Sequence, residues 1–218
     1  MGHKAATRQA TARRVRAQRI SAPERRELLL QAAEEVFASR GYGGATLADV
    51  AARAGVTKSL VYRHFESKAQ LYVRLLEARA AEVIGAVSAA AAEPASTEGR
   101  FRAGVEAFFD ALERRPFSRR LLFRDPEADP EVAAAYDRVH AAAAHALSRA
   151  LAADGSLLRG DADRGQALEL LAYVLKTGLN GLAAWWFANP EVDRDTLVER
   201  AMQLMWPGVE QLRSEARA

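Results

Sequence analysis

The sequence predicts an all-α chain in two parts, a small N-terminal unit of three helices and a larger C-terminal helical bundle. Three observations point there. Four helix-start signals fall between Ser21 and Gln70, too closely spaced for anything but short, tightly packed helices. Beyond Glu93 the punctuation is again helical, with Pro116, Asp125-Pro126, Asp129-Pro130, Asp154-Gly155-Ser156, Asn189-Pro190 and Asp193 separating apolar-periodic runs. Strand signals are missing: no alternating β-branched run occurs, and the one Asn180-Gly181 pair lies inside a helical pattern.

Each element follows in order. Residues 1–20 carry no acid, no aromatic and few large apolar groups, so they read as a flexible basic arm. Ser21 and Glu24 form a capping box with Pro23 in the first turn, and Leu29, Ala33, Val36 and Phe37 share a face until Gly41, Gly43 and Gly44 stop the helix. Thr46 and Asp49 open a short second helix that ends at Gly55. Thr57 can cap a third, with Leu60, Val61 and Phe65, and Ser67 with Gln70 opens a connecting helix to about Ala92. These breaks divide the chain into an arm (1–20), a three-helix domain (21–66) and a C-terminal domain (67–218) that begins with the connecting helix (67–92).

Of the 218 residues, 50% are hydrophobic and 27% charged, which suits a folded globular protein. There is no cysteine, so disulfides, thiolate metal sites and cysteine nucleophiles are excluded. No apolar run of about 18 residues suggests a membrane span, and a cytoplasmic location is expected. The net charge of +3 conceals an asymmetry. Residues 1–74 hold 14 basic and 6 acidic side chains, whereas the remainder holds 17 and 22. A basic first third on an acidic remainder suggests a polyanion-binding module joined to a part with another task.

The informative stretch is Thr46 to Phe65. Two short helices that cross closely need a small residue at the crossing, a turn residue free to take positive φ, and a branched apolar lock on the second helix. Ala51, Gly55 and Val61 fill those roles, with Val50, Ala54 and Val56 adding to the buried face. This spacing is that of a helix-turn-helix, but a plain αα-hairpin would share it. The third helix adds chemistry: Thr57, Lys58, Ser59, Tyr62, Arg63 and His64 offer hydroxyls, a phenol and positive charge near a helix N-terminus, a composition suited to DNA. Lys68, one turn into the next helix, suits a backbone clamp.

Residues 41–77, GYGGATLADVAARAGVTKSLVYRHFESKAQLYVRLLE, resemble the tetracycline-repressor (TetR/AcrR) family of bacterial transcription regulators. The likeness lies in Gly55-Val56-Thr57, then Tyr62-Arg63-His64-Phe65, then Ser67-Lys68; beyond about residue 80 it is one of architecture alone. It implies that Thr46 contacts a phosphate and that Thr57, Lys58 and Ser59 face base edges or sugar-phosphate. Tyr62 and His64 would hold phosphates, and Lys68 would donate from the fourth helix. Ser59 and Leu60 depart from the pattern, since many members have glycine and a small residue there. Leu60 would pack on a thymine methyl or face the protein. Ala48 is too short to reach a base, which leaves readout to the third helix.

The resemblance also implies a helical domain that dimerises and encloses a small, mostly apolar effector. Phe101, Val105, Phe108, Phe109 and Leu112 form one apolar face; Leu121, Leu122 and Phe123 follow, and Tyr136, Val139, His140 and Leu147 supply another. Most of these belong to a core. A pocket is expected where apolar and polar groups mix, at Phe108, Leu112, Phe123, Tyr136 and His140 and, on the 163–189 helix, Tyr173, Lys176, Thr177 and Asn180. That helix, with Leu182, Trp185 and Trp186, and the last one, with Leu197, Ala201, Leu204 and Met205, suit a four-helix dimer interface. Pro207-Gly208 should kink or end the last helix early.

The expected function is a DNA-binding transcriptional regulator, a ligand-released repressor acting as a homodimer on a palindromic operator. The alternatives are an activator of the same family and a DNA-binding helical dimer without ligand control. No cofactor or metal is expected, and no enzyme: His140 and His145 fall on different helix faces, and no nucleotide-binding, hydrolase or zinc-protease motif occurs.

Overall fold

The computed structural model describes residues 21–92, 96–115 and 129–214. The arm at 1–20, the breaks at Pro94, Pro116 and Asp125-Pro126, and Leu121, Leu122 and Phe123 lie outside them. Eight helices and no strand occur among the described residues: α1 (Ala22–Gly44), α2 (Leu47–Ala54), α3 (Lys58–His64), α4 (Lys68–Ala90), α5 (Thr97–Glu113), α6 (Pro130–Ala152), α7 (Arg164–Ala188) and α8 (Arg194–Ser214).

The caps explain the boundaries of the first helices. Ser21 and Glu24 close a full capping box at α1, and Thr46 and Asp49 close one at α2. Two glycines carry the turns. Gly41, at φ 70°, breaks the helical path of α1 and re-aims Tyr42. Gly55, at φ 70° and ψ 30°, ends α2 in the left-handed conformation, with its N–H and that of Val56 returning to carbonyls of that helix. Thr57 departs from expectation. Its hydroxyl makes no cap hydrogen bond and lies 3.0 Å from the Ser59 hydroxyl instead, because each short side chain finds the other first.

By contacts the chain divides into two units. The first comprises 21–78 and 129–136 of the described residues. Its core is Leu29, Ala33 and Phe37 of α1, Val50 and Ala51 of α2, Val61 of α3, and Leu71, Leu75 and Leu76 of α4. Each such leucine contributes about 1.5–3 kcal/mol by leaving water. Tyr42 and Tyr72 pack edge-on at 5.2 Å, and Phe37 meets Tyr72 at 4.8 Å.

The second unit comprises 79–115 and 137–214. One apolar cluster joins Val105, Phe109 and Leu112 of α5, Ala183 and Trp186 of α7, and Leu197, Val198, Ala201 and Met202 of α8. A second gathers Leu157, Leu168, Leu175 and Val209 with Leu147 and Leu151. Helices α7 and α8 approach so closely that a Cβ on Gly178 would lie 2.6 Å from Met205 Cε. The loop after α6 is held by Arg164, which donates to the carbonyls of Ala152, Asp154 and Leu157.

Pro207 neither ends nor shortens the last helix, which continues to Ser214. The lost hydrogen bond falls on an exposed face, while Val209 and Leu212 pack into the second cluster and Arg213 binds Asp154. Tertiary packing outweighs the local cost of the proline.

Candidate nucleic-acid interface

The crossing of α2 and α3 brings Ala51, Gly55 and Val61 together, with Val50, Ala51, Ala54, Val56 and Val61 buried. One face of α3 is thereby committed inward. The opposite face is exposed and carries Lys58 and Tyr62 in one i,i+4 column and Ser59 and Arg63 in the next, with Thr57 ahead of them. Lys58 Nζ stands 5.6 Å from the centre of the Tyr62 ring, so the two side chains present a joint cationic and aromatic edge. Leu60 and His64 are half-buried. Leu60 thus lies at the margin of the exposed face.

Thr46 is exposed, but its hydroxyl is occupied. It donates to Asp49 Oδ2 at 2.6 Å and accepts from the Asp49 N–H at 3.2 Å. A phosphate on Thr46 would compete with Asp49 for that proton. The Thr46 hydroxyl, the foremost cause, and Arg40 together hold the Asp49 carboxyl below its ordinary value despite partial burial.

His64 is held below its ordinary pKa of 6.5, first by burial and then by the charges of Arg25, Arg63 and Arg26. Arg26 also lies 6.0 Å over the Phe65 ring. Two arginines near the start of α1 thus join the cationic end of α3, and sequence reasoning passed over both. The signal was the Arg25-Arg26 pair itself, two cations directly behind the capping box of α1.

Lys68 is half-buried rather than free in solvent. Its Nζ donates to the Tyr42 carbonyl at 2.9 Å and stands 4.2 Å from the centre of the Tyr42 ring.

The expected pocket residues are not all brought together. Tyr136 is buried in the first unit, where desolvation pushes its phenol well up. The rest of the described set lies in the second. Leu112 is core, Phe108 packs beside Phe109 at 5.2 Å, and His140, Lys176 and Asn180 are half-buried. Burial lowers the Lys176 ammonium, which stands 5.3 Å from the centre of the Tyr173 ring. Tyr173 and Thr177 are exposed, and Phe123 lies outside the described residues.

The expected dimer residues divide likewise. Trp185 and Leu204 are 51% and 71% exposed. Leu182 and Met205 are half-buried, while Trp186, Leu197 and Ala201 are core residues of the subunit itself. Sequence reasoning missed Leu170 and Val174, which with Tyr173 and Trp185 form an exposed apolar stripe along α7. Periodicity could not find it, because α7 is apolar on more than one side. No helix among the described residues is long and apolar enough to cross a membrane.

The sequence profile of the bacterial regulatory proteins of the tetR family matches residues 29–75. The HTH-type transcriptional activator FasR of Mycolicibacterium smegmatis is 35% identical over 198 residues, covering 89% of this chain and 87% of its own. Solved structures agree in fold. A transcriptional regulator from Pseudomonas aeruginosa PAO1 superposes with a TM-score of 0.75 at 23% identity, over 93% of this chain and 96% of that one. FadR from Bacillus subtilis, in complex with stearoyl-CoA, gives 0.70 at 17% identity over 84% and 97%.

Proposed function

Because this chain belongs to the TetR family of bacterial regulatory proteins and is a DNA-binding transcriptional regulator, we propose that it works as a homodimer on a palindromic operator and is released by a small, mostly apolar effector. The observation that carries this reading is the exposed face of α3, where Thr57, Lys58, Ser59, Tyr62 and Arg63 stand clear of the core that Val61 anchors. In this reading Thr57, Lys58 and Ser59 enter the major groove. Tyr62, Arg63, His64 and Lys68 hold phosphates, and Leu60 meets the edge of a base. Arg25 and Arg26 add to the phosphate-binding end.

One short helix reads too few bases to select a site, so a second copy is required, with recognition helices about 34–36 Å apart in successive major grooves. The stripe of Leu170, Tyr173, Val174 and Trp185 on α7, with Leu204 on α8, supports pairing of the two copies there. The effector would lie in the second unit, where Phe108, Val139, His140, Lys176 and Asn180 are only half-buried. Its binding weakens the operator complex by its differential affinity for the two states and no more. The sign of regulation has a second reading, activation, which is favoured by the Mycolicibacterium smegmatis activator that aligns along most of both chains.

Selection of genomic fragments with the purified protein at about 150 mM salt tests the reading, with binding of the best fragment compared with scrambled DNA. Enrichment of one palindrome bound about a thousandfold more tightly is expected. Uniform, salt-sensitive binding would favour a dimer without sequence or ligand control. Effectors are then screened for release of the selected fragment, with long-chain acyl-CoA thioesters, the class held by the Bacillus subtilis neighbour, in the panel. Placing the fragment upstream of a reporter decides between repression and activation.

A further inference from the structure

Lys68 is gripped from inside the protein by one residue, and that residue is gripped in turn by another far along the chain. The left-handed Gly41 turns Tyr42 inward, where the ring is buried against Phe37 and edge-on to Tyr72. The Tyr42 hydroxyl donates to the Asp129 carboxylate, 87 residues away in sequence and within the same unit. Burial, then that hydrogen bond, then the Asp129 charge push the Tyr42 phenol well up, so it keeps its proton and acts as a donor at any ordinary pH.

Asp129 stands immediately before Pro130, at the position from which an aspartate ordinarily caps its own helix. Its backbone carbonyl does serve α6, accepting from the Ala133 N–H at 3.0 Å. Its side-chain Oδ2 accepts from the Tyr42 hydroxyl. That oxygen therefore links the start of α6 to the α1 tyrosine within the same unit.

That link acts through electrostatics. A phenol that donates to a carboxylate gains electron density, which makes its ring face more negative and a stronger seat for a cation. The same hydrogen bond fixes the orientation of the ring. Lys68 Nζ lies 4.2 Å from the centre of that ring and spends one N–H on the Tyr42 carbonyl. Among the described residues no other partner takes its remaining two N–H groups, on a side chain that is half-buried rather than enclosed.

We propose that Asp129, through Tyr42, is the positioning residue that holds Lys68 ready for an operator phosphate. The proposal rests on the reading of Lys68 as a phosphate contact. Holding the ammonium in place before DNA arrives removes the cost of ordering a long side chain at the interface.

The test is a double-mutant cycle on DNA binding by the full chain, using a labelled duplex of mixed sequence and the fragment selected above, each over a range of salt. Lys68→Ala examines the reading itself: weaker binding with a salt slope lower by about one unit is expected. Tyr42→Phe removes only the hydroxyl, and Asp129→Asn only the charge. Each should weaken binding about fivefold when Lys68 is present and by less than about twofold in the Lys68→Ala background. Asp129→Glu, which keeps a carboxylate, should recover most of the loss. Thermal unfolding of each variant reports folding separately, and Asp129→Asn, at an exposed position, guards against loss of fold in Tyr42→Phe. Equal effects in both backgrounds, or none in either, would overturn the positioning role while leaving Lys68 a DNA contact. An unchanged salt slope for Lys68→Ala would overturn both.

Discussion

Arg213, near the end of the last helix, donates its Nε to Asp154 Oδ2 at 3.0 Å and so ties α8 to the loop that follows α6. The same carboxylate accepts from the hydroxyls of Thr97 and Ser156, each at 2.6 Å, and from the Ser156 N–H at 2.9 Å. Burial, the largest influence on this carboxyl, pushes it up. The hydrogen bonds from Ser156 and Thr97 and the Arg213 charge outweigh it and hold the group well below the ordinary carboxylate range.

Asp154→Asn should therefore cost about 2 kcal/mol near pH 7, since it removes the charge on which Thr97, Ser156 and Arg213 converge and leaves Arg213 to the more exposed Glu210. A depressed carboxyl gives stability that is present above its unfolded value of 3.8 and is lost as the pH falls through the folded one. The gap between wild type and Asp154→Asn should thus narrow below about pH 4. Urea unfolding at a series of pH values checks this; a gap independent of pH down to acid conditions would contradict the assignment.

DNA binding should gain a pH dependence from His64. Burial and the neighbouring arginines keep it neutral at and above its ordinary value of 6.5, whereas a phosphate beside it favours the charged form. Binding then takes up a proton, and affinity should rise about threefold as the pH falls from about 7.5 to about 5.5. The rise should vanish in His64→Gln, which anisotropy titrations would show.

On the exposed face of α3 the two ends of the helix should behave differently. Arg63→Ala is expected to weaken binding to all sequences alike and to lower the salt slope by about one unit. Ser59→Ala and Lys58→Ala should alter which fragments are selected. Unchanged selection by both would mean that another face of α3 meets the bases.

Neighbouring tryptophans on α7 give a sharp contrast. Trp186 is 8% exposed, meets Phe109 edge-on at 5.9 Å and donates its indole N–H to the Val192 carbonyl at 2.7 Å. Trp186→Ala should cost about 3–5 kcal/mol of stability. Trp185→Glu should leave the melting of the subunit nearly unchanged but weaken self-association more than about tenfold by analytical ultracentrifugation. Self-association unaffected by Trp185→Glu and by Leu204→Glu would move the dimer contact elsewhere.

What was legible in the sequence is local chemistry. Capping boxes at Ser21 and Thr46, glycines at 41 and 55 and the small-glycine-branched spacing of Ala51, Gly55 and Val61 each act within a few residues, so the first four helices and the turn between α2 and α3 could be read directly. The polar residues of α3 were legible for the same reason, since one buried face of a short helix determines the other.

Neighbours along the chain suffice to specify the all-helical class, the position of the helix-turn-helix and the charged face it shows. Other features depend on contacts between residues far apart in the chain. A helix apolar on several sides, like α7, does not say which side meets its own domain, and so Trp186 rather than Trp185 entered the core. Pro207 marks a helix end locally, but Val209 and Arg213 find partners beyond it. Lys68 reads as a free cation until Tyr42 and Asp129 meet across 87 residues. The reason is common to all three: propensity and capping depend on neighbours in the chain, whereas burial and charge pairing depend on neighbours in space.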